Sequence, residues 1–411
     1  MLKSSFTIFL YCFVFLSFSQ ETNKDLKIFL DCNSCDNTYI KQNLANVEFV
    51  RDQNFADVHL FFITQRNGSD GRSYEIEFIG RNAFEKFQDT LSFSTNTDMT
   101  DDDIRQRILK YIKLGLVRFW VKQGSVDNIS VTVTKPEKDD EEKKEEKDPW
   151  NYWVFRIGVN GWFNGQETSK FSNINFNVSA KRVTEKNKFS LRLGLRENKS
   201  TFSFEDDEII SIQSSKYVNT SDIISINEHW SVGAFARLGT SVFRNKDFYW
   251  SVRPAVEYNF FKYSESSKKQ LTLSYRNGIA YNNYIERTIF GEEKEHLWEH
   301  ELSLGGSVNQ KWGSISGEAS YEQFLHDTTL NSLSFFVGTN VRLFKGFSLN
   351  LHGNYNITRN QIELPAGEVS LEELLLQQQQ LKSGYNYFVS VGLSYSFGSI
   401  YNTIVNPRFN F

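Results

Sequence analysis

The sequence has little proline, little cysteine and, beyond its N-terminus, no long apolar run. It contains 5 prolines and 3 cysteines in 411 residues, and its mean hydropathy is −0.46. No later window approaches the roughly 18 consecutive apolar residues of a membrane-spanning helix. If the chain crosses a membrane, it therefore does so with β-strands. The net charge of −4 argues against a generally basic nucleic-acid binder, and we expect no nucleic-acid partner.

Aromatic residues, in contrast, are abundant. They make up 15% of the chain, with 37 phenylalanines and 18 tyrosines. A soluble globular protein rarely combines so much aromatic surface with so polar an average. A membrane β-barrel does, because only every second strand residue faces lipid and aromatic residues gather at both membrane interfaces.

The N-terminus has the pattern of a secretory signal peptide. Lys3 precedes an apolar stretch over 6–18, and Ser17 and Ser19 are small residues where cleavage requires them. We predict that residues 1–19 are removed and that the mature chain begins at Gln20 and is exported. Cys12 leaves with the leader, and no cysteine follows where a lipid anchor would need one.

Two cysteines then remain, Cys32 and Cys35, in the sequence Asp-Cys-Asn-Ser-Cys. In an oxidising compartment this spacing is compatible with a local disulfide, a redox-active pair or part of a metal site. We favour a structural disulfide, because no thioredoxin-like strand order and no nearby Cys or His pair accompanies it. We expect no metal and no cofactor.

Residues 20–134 are predicted to form a small α+β domain. His59 is a lone histidine on a strand, and we interpret it as a packed or edge residue and not as a ligand. A capping box of Thr100 and Asp103 opens a long helix, and an earlier helix is expected from Asp36 to about Asn46. Strands are expected at 27–31, 58–65, 74–79, 91–94 and 128–134.

The order of these elements resembles a known type of domain. A helix, a strand that begins with Ala56-Asp57-Val58, a hairpin strand and a long C-terminal helix are similar to the N-terminal domain of TolB and the related CsgG-type periplasmic domain. The resemblance covers roughly residues 26–120. It implies a protein-interaction or assembly module and no active site, so we expect an unknown periplasmic protein as a partner.

A charged run, 135–149, separates this domain from the rest of the chain. Acidic and basic residues are interleaved in it, so it is unable to bury a core and should be solvated. A calcium site is the alternative, but the lysines neutralise the acidic cluster and no glycine-turned loop is present. We therefore predict a flexible spacer that holds the domain off the membrane.

Residues 150–399 are predicted to form a transmembrane β-barrel of about 12 antiparallel strands, followed by a periplasmic tail over 400–411. In the last strand, apolar residues from Tyr387 to Phe397 alternate with Asn, Ser and Gly, and Phe388 is the one exception. The connections after even-numbered strands are shorter than the connection Arg359–Gly384, so both termini are placed in the periplasm. The strands are expected at 153–163, 171–183, 189–199, 209–226, 230–242, 249–260, 271–284, 296–308, 313–324, 333–343, 347–358 and 385–397.

The last strand also resembles the β-signal that the outer-membrane barrel-assembly machinery reads. The matching residues are Ser390, Gly392, Tyr395 and Phe397, although this chain departs from the pattern by continuing to Phe411. Taken whole, the leader, small domain, charged run and barrel resemble a group of uncharacterised bacterial outer-membrane barrel proteins. That resemblance implies an outer-membrane location with lipid as the surroundings, and it carries no known activity.

With apolar positions assigned outward, a set of charged residues faces the lumen. A charged side chain that faces lipid near the membrane midplane would cost roughly 2–4 kcal/mol. A strand register that turns these charges inward is therefore the favourable one. Two hypotheses remain open: a narrow pore with arginines facing glutamates, and a closed lumen filled with salt bridges. The residues are Arg156, Arg192, Arg196, Arg237, Arg253, Arg276, Glu257, Glu299, Glu301, Glu318 and Glu322.

The long connection is expected to contain an amphipathic helix over 371–382, opened by a capping box of Ser370 and Glu373. It is compatible with a lid, a plug or a partner-binding helix, and we favour a simple cover over the barrel mouth.

We expect no enzyme. An outer-membrane lipid hydrolase is the remote alternative, but His300 faces outward near Trp298 without a serine at compatible depth, and no G-x-S-x-G motif is present. The sequence favours a narrow pore or an envelope-structural protein whose periplasmic module docks a partner. The alternative is a closed barrel that only anchors that module.

Overall fold

The computed structural model describes residues 25–124, 126, 129–130, 132, 148–204, 207–344, 346–367, 380–399 and 408. They form a 5-stranded sheet with two helices and a 12-stranded sheet. The predicted leader, most of the charged run 135–149 and most of the tail 400–411 lie outside the described residues. No helix in the described part of the chain is long and apolar enough to cross a membrane.

The N-terminal part is a small α+β domain, as predicted. Its sheet has the order β2-β1-β3-β4-β5, in which β1 is parallel to β2 and β3 and the remaining pairs are antiparallel. The predicted strand over 128–134 was wrong where it is described, because Ile129, Ser130 and Thr132 are not in a strand. The elements are β1 (Leu26–Asp31), α1 (Asn37–Asn43), β2 (Val47–Phe49), β3 (Val58–Arg66), β4 (Arg72–Gly80), β5 (Gln88–Ser94) and α2 (Asp101–Gln123).

Helices α1 and α2 cover one face of this sheet. Thr100 and Asp103 form a capping box at the start of α2, and Gly124 ends it in a left-handed conformation with φ 94°. Gly115 lets α2 approach the sheet closely, because a Cβ there would lie 2.1 Å from the Phe78 ring. The core between the layers contains the fully buried side chains of Leu26, Ile28, Leu60, Ile76, Phe78, Ile108, Ile112, Leu116 and Phe119.

The second part contains the twelve predicted strands, each paired antiparallel with its neighbours in sequence. The prediction of 12 antiparallel strands is confirmed, including β9, whose alternation is poor. The strands are β6 (Trp153–Gln166), β7 (Ser169–Val183), β8 (Asn187–Phe204), β9 (Asp207–Ser225), β10 (Trp230–Ser241), β11 (Lys246–Asn259), β12 (Lys269–Tyr284), β13 (Lys294–Gln310), β14 (Gly313–Phe324), β15 (Asn331–Phe344), β16 (Phe347–Thr358) and β17 (Tyr385–Tyr395).

The ladder registers give the sheet one polar and one apolar face. Arg156, for example, lies in one row of partners with Arg192 and Arg237, whereas Ile157 lies in a row with Val178 and Leu193. Side chains in the apolar rows are exposed, with Ile157 at 72% and the neighbouring Val159 at 71%. A contiguous exposed apolar surface of this size marks contact with lipid or protein.

The barrel has two distinct ends. We call the end with the connections after β7, β9, β11, β13 and β15 the turn end, and the opposite end the loop end. The connections at the loop end lengthen in the second half of the sheet, and the longest of them joins β16 to β17. Strand β6 starts at the turn end, so the N-terminal domain enters the barrel from that side.

The first and last strands are the edges of this sheet. Among the described residues no ladder joins β6 to β17, and all residues of β17 except Gly392 are exposed. An unpaired strand edge is unfavourable in a bilayer because its N–H and C=O groups find no water there. We therefore expect the two edges to pair in the membrane.

The observed registers define how that pairing should occur. The row of ladder partners that starts at Tyr385 runs through Ile357, Leu333 and the following strands to Ile224 and Asn187. Continued in the same register, it ends level with Asn151. Closure opposite Gly165 then gives a stagger of about 14 residues and a strand tilt of about 39°, within the range of about 35–45° for barrels.

This closure also matches the faces of the two strands. It places Tyr395 opposite Phe155 on the outside, and on the inside it places Phe388 opposite Trp162. Phe388 and Trp162 are both aromatic residues at inward positions of the two edge strands. Their pairing gives each of them an apolar neighbour inside an otherwise polar face.

We predict that cysteines at Asn160 and Ser390 will crosslink in membrane-embedded protein with a short thiol-reactive reagent. These inward positions are cross-strand neighbours in the proposed register. A matched pair at Asn160 and Ser394, which is four residues out of register along β17, should crosslink poorly. Preferential crosslinking of the offset pair would rule out this register, and crosslinking of neither pair would mean that the edges stay apart.

Candidate functional site

The N-terminal domain packs against the turn end of the barrel with the sheet face that its helices leave free. Phe29 on β1 and His59, Phe61 and Ile63 on β3 point to this face, and His59 is completely buried. Asn309–Gln310 and Gly313–Ser314 of the barrel line a crevice opposite Phe61–Thr64. The domain sheet is therefore covered by its helices on one side and by the barrel on the other.

A buried ion pair lies at the centre of this contact. Arg342 of β15 donates to both carboxylate oxygens of Asp31 at 2.6 Å, and its guanidinium lies 5.2 Å from the centre of the Phe29 ring. His59 donates from Nε2 to Asp31 over 3.1 Å, which leaves its buried Nδ1 without a partner among the described residues. The bidentate geometry is the strong form of such a pair.

The pKa values at this site follow from burial and from these partners. Burial alone raises the pKa of Asp31, but the hydrogen bonds from Arg342 and His59 outweigh it, and the pKa lies below its ordinary value. Burial lowers the pKa of His59, which outweighs the opposing effect of Asp31, so the ring is neutral near pH 7. Asp31 is thus the charged partner of Arg342, and His59 orients it.

Two further ionic contacts join the domain to the same end. Lys268, in the β11–β12 connection, lies 3.1 Å from Glu75 and bonds to Glu77, and the bond to Glu77 raises the pKa of the lysine. Lys181 of β7 bonds to Asp70 in the β3–β4 hairpin. Next to Asp70, a Cβ at Gly68 would lie 2.7 Å from Val183, so only glycine permits this approach.

These three contacts are spread around the barrel rim. In the strand order, β7, the β11–β12 connection and β15 are separated by roughly a third of the circumference each. A single domain that touches all three points lies across the opening, and we call residues 25–124 the cap domain. Acidic groups on the cap domain pair with basic groups on the rim. The predicted spacer over 135–149 lies mostly outside the described residues, so its role stays a prediction.

Inside the barrel, the structure brings part of the predicted charge set together. Arg253 lies within 3.5 Å of Glu299, Glu301 and Glu322, and Arg276 lies 3.2 Å from Glu301. These groups sit on neighbouring strands, β11 to β14. Arg253 and Arg276 therefore pair with these glutamates side by side along one wall and do not face them across the lumen.

The other predicted residues stand apart from this cluster. Glu257 accepts from the hydroxyl of Tyr263, and Arg196 donates to Asn175 at 2.7 Å. Burial, followed by the bond to Glu257, raises the pKa of Tyr263 to about 12. Glu318 lies on β14 level with Gly305, and no hydrogen bond or ion pair is recorded for its side chain.

A segment of the β16–β17 connection enters the lumen at the loop end. Ile362 is 4% exposed and packs against Ala280, Leu297 and Phe324, which are apolar residues at inward positions. The next residue, Glu363, accepts from Arg244 at 2.7 Å. The expectation of a simple cover was therefore incomplete, because this segment also fills part of the lumen. The predicted helix lies outside the described residues over 371–379, and residues 380–382 are not helical.

The described residues hold no group of three or more His, Cys, Asp or Glu side chains suited to a metal ion. Cys32 and Cys35 are joined by a disulfide next to Asp31. His300 faces outward, as predicted, and contacts Gln323 at 3.1 Å and the Tyr275 hydroxyl at 3.5 Å. Among the described residues no serine forms a hydrogen bond with this histidine.

The residues of the predicted assembly signal lie at the end of the chain's last strand. Ser390 pairs with His352 and Gly392 with Asn350, both on the inward face of β16. Tyr395 faces outward and stacks with Phe397, which lies just beyond the strand and is 79% exposed.

Sequence reasoning missed the contact between the cap domain and the barrel. A signal for it was present in β3, where five of the six residues of Val-His-Leu-Phe-Phe-Ile are apolar and His59 is the one polar residue. A strand with apolar residues at successive positions is typically buried on both faces. The second covering layer had to come from outside the domain, and the barrel supplies it.

No protein-family model matches the chain, and no curated protein matches it either. Among solved structures, the NanC porin in a rhombohedral crystal form is similar over 59% of this chain and 100% of its own, with 8% sequence identity and a TM-score of 0.28. A TM-score this low supports no further conclusion, so the fold assignment rests on the strand pairing. The resemblance of the cap domain to the TolB and CsgG-type domains stays a prediction.

We predict that Arg342→Gln will loosen the cap domain by roughly 3 kcal/mol, because it leaves the buried Asp31 carboxylate without its main partner. The reporter is a cysteine at Gln310, which lines the crevice beneath the domain. Its maleimide labelling should accelerate by about a hundredfold. Arg182→Gln is the matched control, because Arg182 lies at the same end and, among the described residues, its side chain bonds only to Asn151. Equal labelling rates in both variants would show that the Asp31–Arg342 ion pair does not hold the cap domain on the barrel.

We also predict that cap docking weakens as the pH falls from 7.5 to 5. The pKa of His59 is below that of a free histidine, so the released state binds more protons and the docked state loses stability below about pH 6.5. The charges that act on the ring are those of Asp31, Arg81 and Arg342. Asp31 adds a second loss only below about pH 4.

The measurement is the labelling rate of the Gln310 cysteine divided by that of a cysteine at the exposed Gln42. His59→Gln should remove the change between pH 7.5 and 5. If the variant keeps the same pH dependence as the natural chain, His59 is not its source.

Proposed function

We propose that this protein is an outer-membrane pore whose periplasmic mouth is closed by its own N-terminal domain. The outer-membrane location is supported by the leader pattern, the apolar outer face and the resemblance of the last strand to an assembly signal. Long connections of such barrels lie outside the cell and short turns in the periplasm. The turn end, and with it the cap domain, then faces the periplasm.

The observation that carries the proposal is the set of three ionic contacts around the rim. Lys181, Lys268 and Arg342 each bind an acidic residue of the same domain face. Partly exposed ion pairs are worth only about 0–1 kcal/mol each, so two of the three contacts are weak enough to open and reform. A barrel that served only as an anchor would need to hold its domain at one point, and a cap must span the opening.

The closed-barrel alternative has one observation in its favour, the cluster around Arg253. Three glutamates and two arginines along β11–β14 fill part of the lumen with ion pairs. The cluster occupies one wall, however, and Arg156 and Arg192 on the opposite part of the sheet have exposed side chains. A lumen with free arginines on one side is better suited to solute passage than to closure.

The cap domain also offers a second surface for a partner. Its sheet face is occupied by the barrel, so a periplasmic protein would have to bind the helical face. A groove of about 760 Å³ lies there between α1 and α2, lined by Tyr39, Leu109 and Trp120 among others. We propose this groove as the place for the partner that the domain resemblance implies.

The test is single-channel conductance in a planar bilayer. The natural chain should show rare openings, and the double variant Lys181→Glu/Lys268→Glu should show frequent ones, because two rim contacts become repulsive. Restoring attraction with Asp70→Lys and Glu77→Lys should return the channel to rare openings. Lys186→Glu is the control, since this lysine lies in the β7–β8 turn and none of the recorded ion pairs includes it.

A second arm removes residues 361–384, which include the segment that enters the lumen. Conductance that appears only when both the rim contacts and this segment are removed would mean that each end closes the pore. Silence of all variants, with the barrel intact by its resistance to unfolding in detergent, would contradict the pore and favour the anchor.

A further inference from the structure

A chamber lies inside the barrel at the loop end. Its volume is about 390 Å³, which is within the size range of small-molecule sites. The strands β10 to β17 form its wall, and Gln361, Ile362 and Glu363 form its roof. The Arg253 cluster is part of its wall, so the chamber lies above the ion pairs.

Two cations in this wall have no acidic partner. Arg244 is neutralised by Glu363, and Arg253 is surrounded by glutamates. For Arg237 and Lys246, in contrast, no carboxylate among the described residues lies within 4.0 Å. The Tyr249 ring lies 5.5 Å from Lys246, and the carboxylates that act on this lysine do so from beyond 4.0 Å. Neither Arg237 nor Lys246 makes a side-chain hydrogen bond or ion pair with another described residue, so both have donors available to a ligand in the chamber.

Arg237 is also the end of a row of arginines. In the ladder registers, Arg156, Arg192 and Arg237 occupy one row on alternate strands, about 10 Å apart, with Ser179 and Asn219 between them. All three arginines have exposed side chains. This row leads from the first strands of the barrel to the chamber and gives an anion successive points of attraction.

The rest of the lining consists of amides and hydroxyls. Amide side chains can donate and accept hydrogen bonds at once, which suits a ligand with several hydroxyl groups. The Oε1 atom of Gln380 is buried in this lining without a hydrogen-bond partner in the described part of the chain. The lining residues of this kind include Ser251, Asn282, Ser334, Asn356, Asn360 and Asn386.

The chain itself shows that a carboxylate fits here. Glu363 extends from the roof and accepts two hydrogen bonds from Arg244, at 2.7 and 3.0 Å, with its own side chain only 6% exposed. A ligand carboxylate beside Arg237 and Lys246 would find the same kind of partners on the neighbouring wall.

From these observations we propose that the chamber binds a small hydroxylated carboxylate, of the class of sugar acids. Arg237 and Lys246 hold the carboxylate, and the amides with Gln380 hold the hydroxyls. This inference rests on the proposed function in one respect. The site lies on the path of the proposed pore, so the class of its ligand is also the class of solute that would pass. Binding itself requires no conductance.

The test is calorimetry on the full chain in detergent, with D-glucuronate as the probe and D-glucose as the neutral match of the same size. Glucuronate should bind and glucose should not. Arg237→Gln and Lys246→Gln should each weaken glucuronate binding at least tenfold. Lys216→Gln is the control, because Lys216 shares a row with Leu195 on the outer face of the barrel, and it should bind like the natural chain.

Each variant is first checked for the strand content of the natural chain by circular dichroism. Equal binding of glucose and glucuronate, or unchanged affinity in both lumen variants, overturns the proposal, and so does absence of binding. A chain that binds glucuronate but never conducts would disprove the pore and keep the site. A chain that conducts without binding would disprove the site alone.

Discussion

The requirement that every backbone hydrogen bond be made within the sheet governs the larger part of this molecule. Each strand satisfies its N–H and C=O groups through two neighbours, which fixes the register and thereby the face of every side chain. Because Arg156 and Ile157 are adjacent, a shift of one residue would place arginines outside along the whole wall. The position of the charged residues and the apolar outer surface are thus two results of one constraint. Its weak point is the seam between β6 and β17.

The cap domain depends on the barrel for the same kind of reason. Its sheet has two apolar faces, and α1 and α2 cover only one of them. The end of the barrel covers the other face around Phe29 and Phe61. The charged rim orients the domain through the ion pair of Arg342. The apolar contact gives affinity without much orientation, and the ion pairs give orientation without much affinity. Together they define one docked position that remains reversible.

Alternation alone was sufficient to predict the twelve strands, since outward apolar positions recur at every second residue even where one strand is irregular. The same alternation predicts the inward set from Arg156 to Glu322. Alternation does not predict contacts between elements that are distant in the sequence. Asp31 and Arg342 lie at opposite ends of the chain, and no local pattern at either of them indicates the other. His59 was judged from its own strand, whereas its burial comes from Phe29 and from the barrel.

The two ends of the barrel are closed by different physical means, and this difference sets the order in which they can open. At the turn end the ion pairs that orient the cap respond to salt because their partners are partly exposed. At the loop end Ile362 is held by an apolar socket, which is little affected by salt, and the neighbouring Glu363 is held by an ion pair with Arg244. A change in the periplasm would therefore act on the cap first. In the proposed pore, the chamber beneath the long connection would open only when the contacts of Ile362 and Glu363 are released.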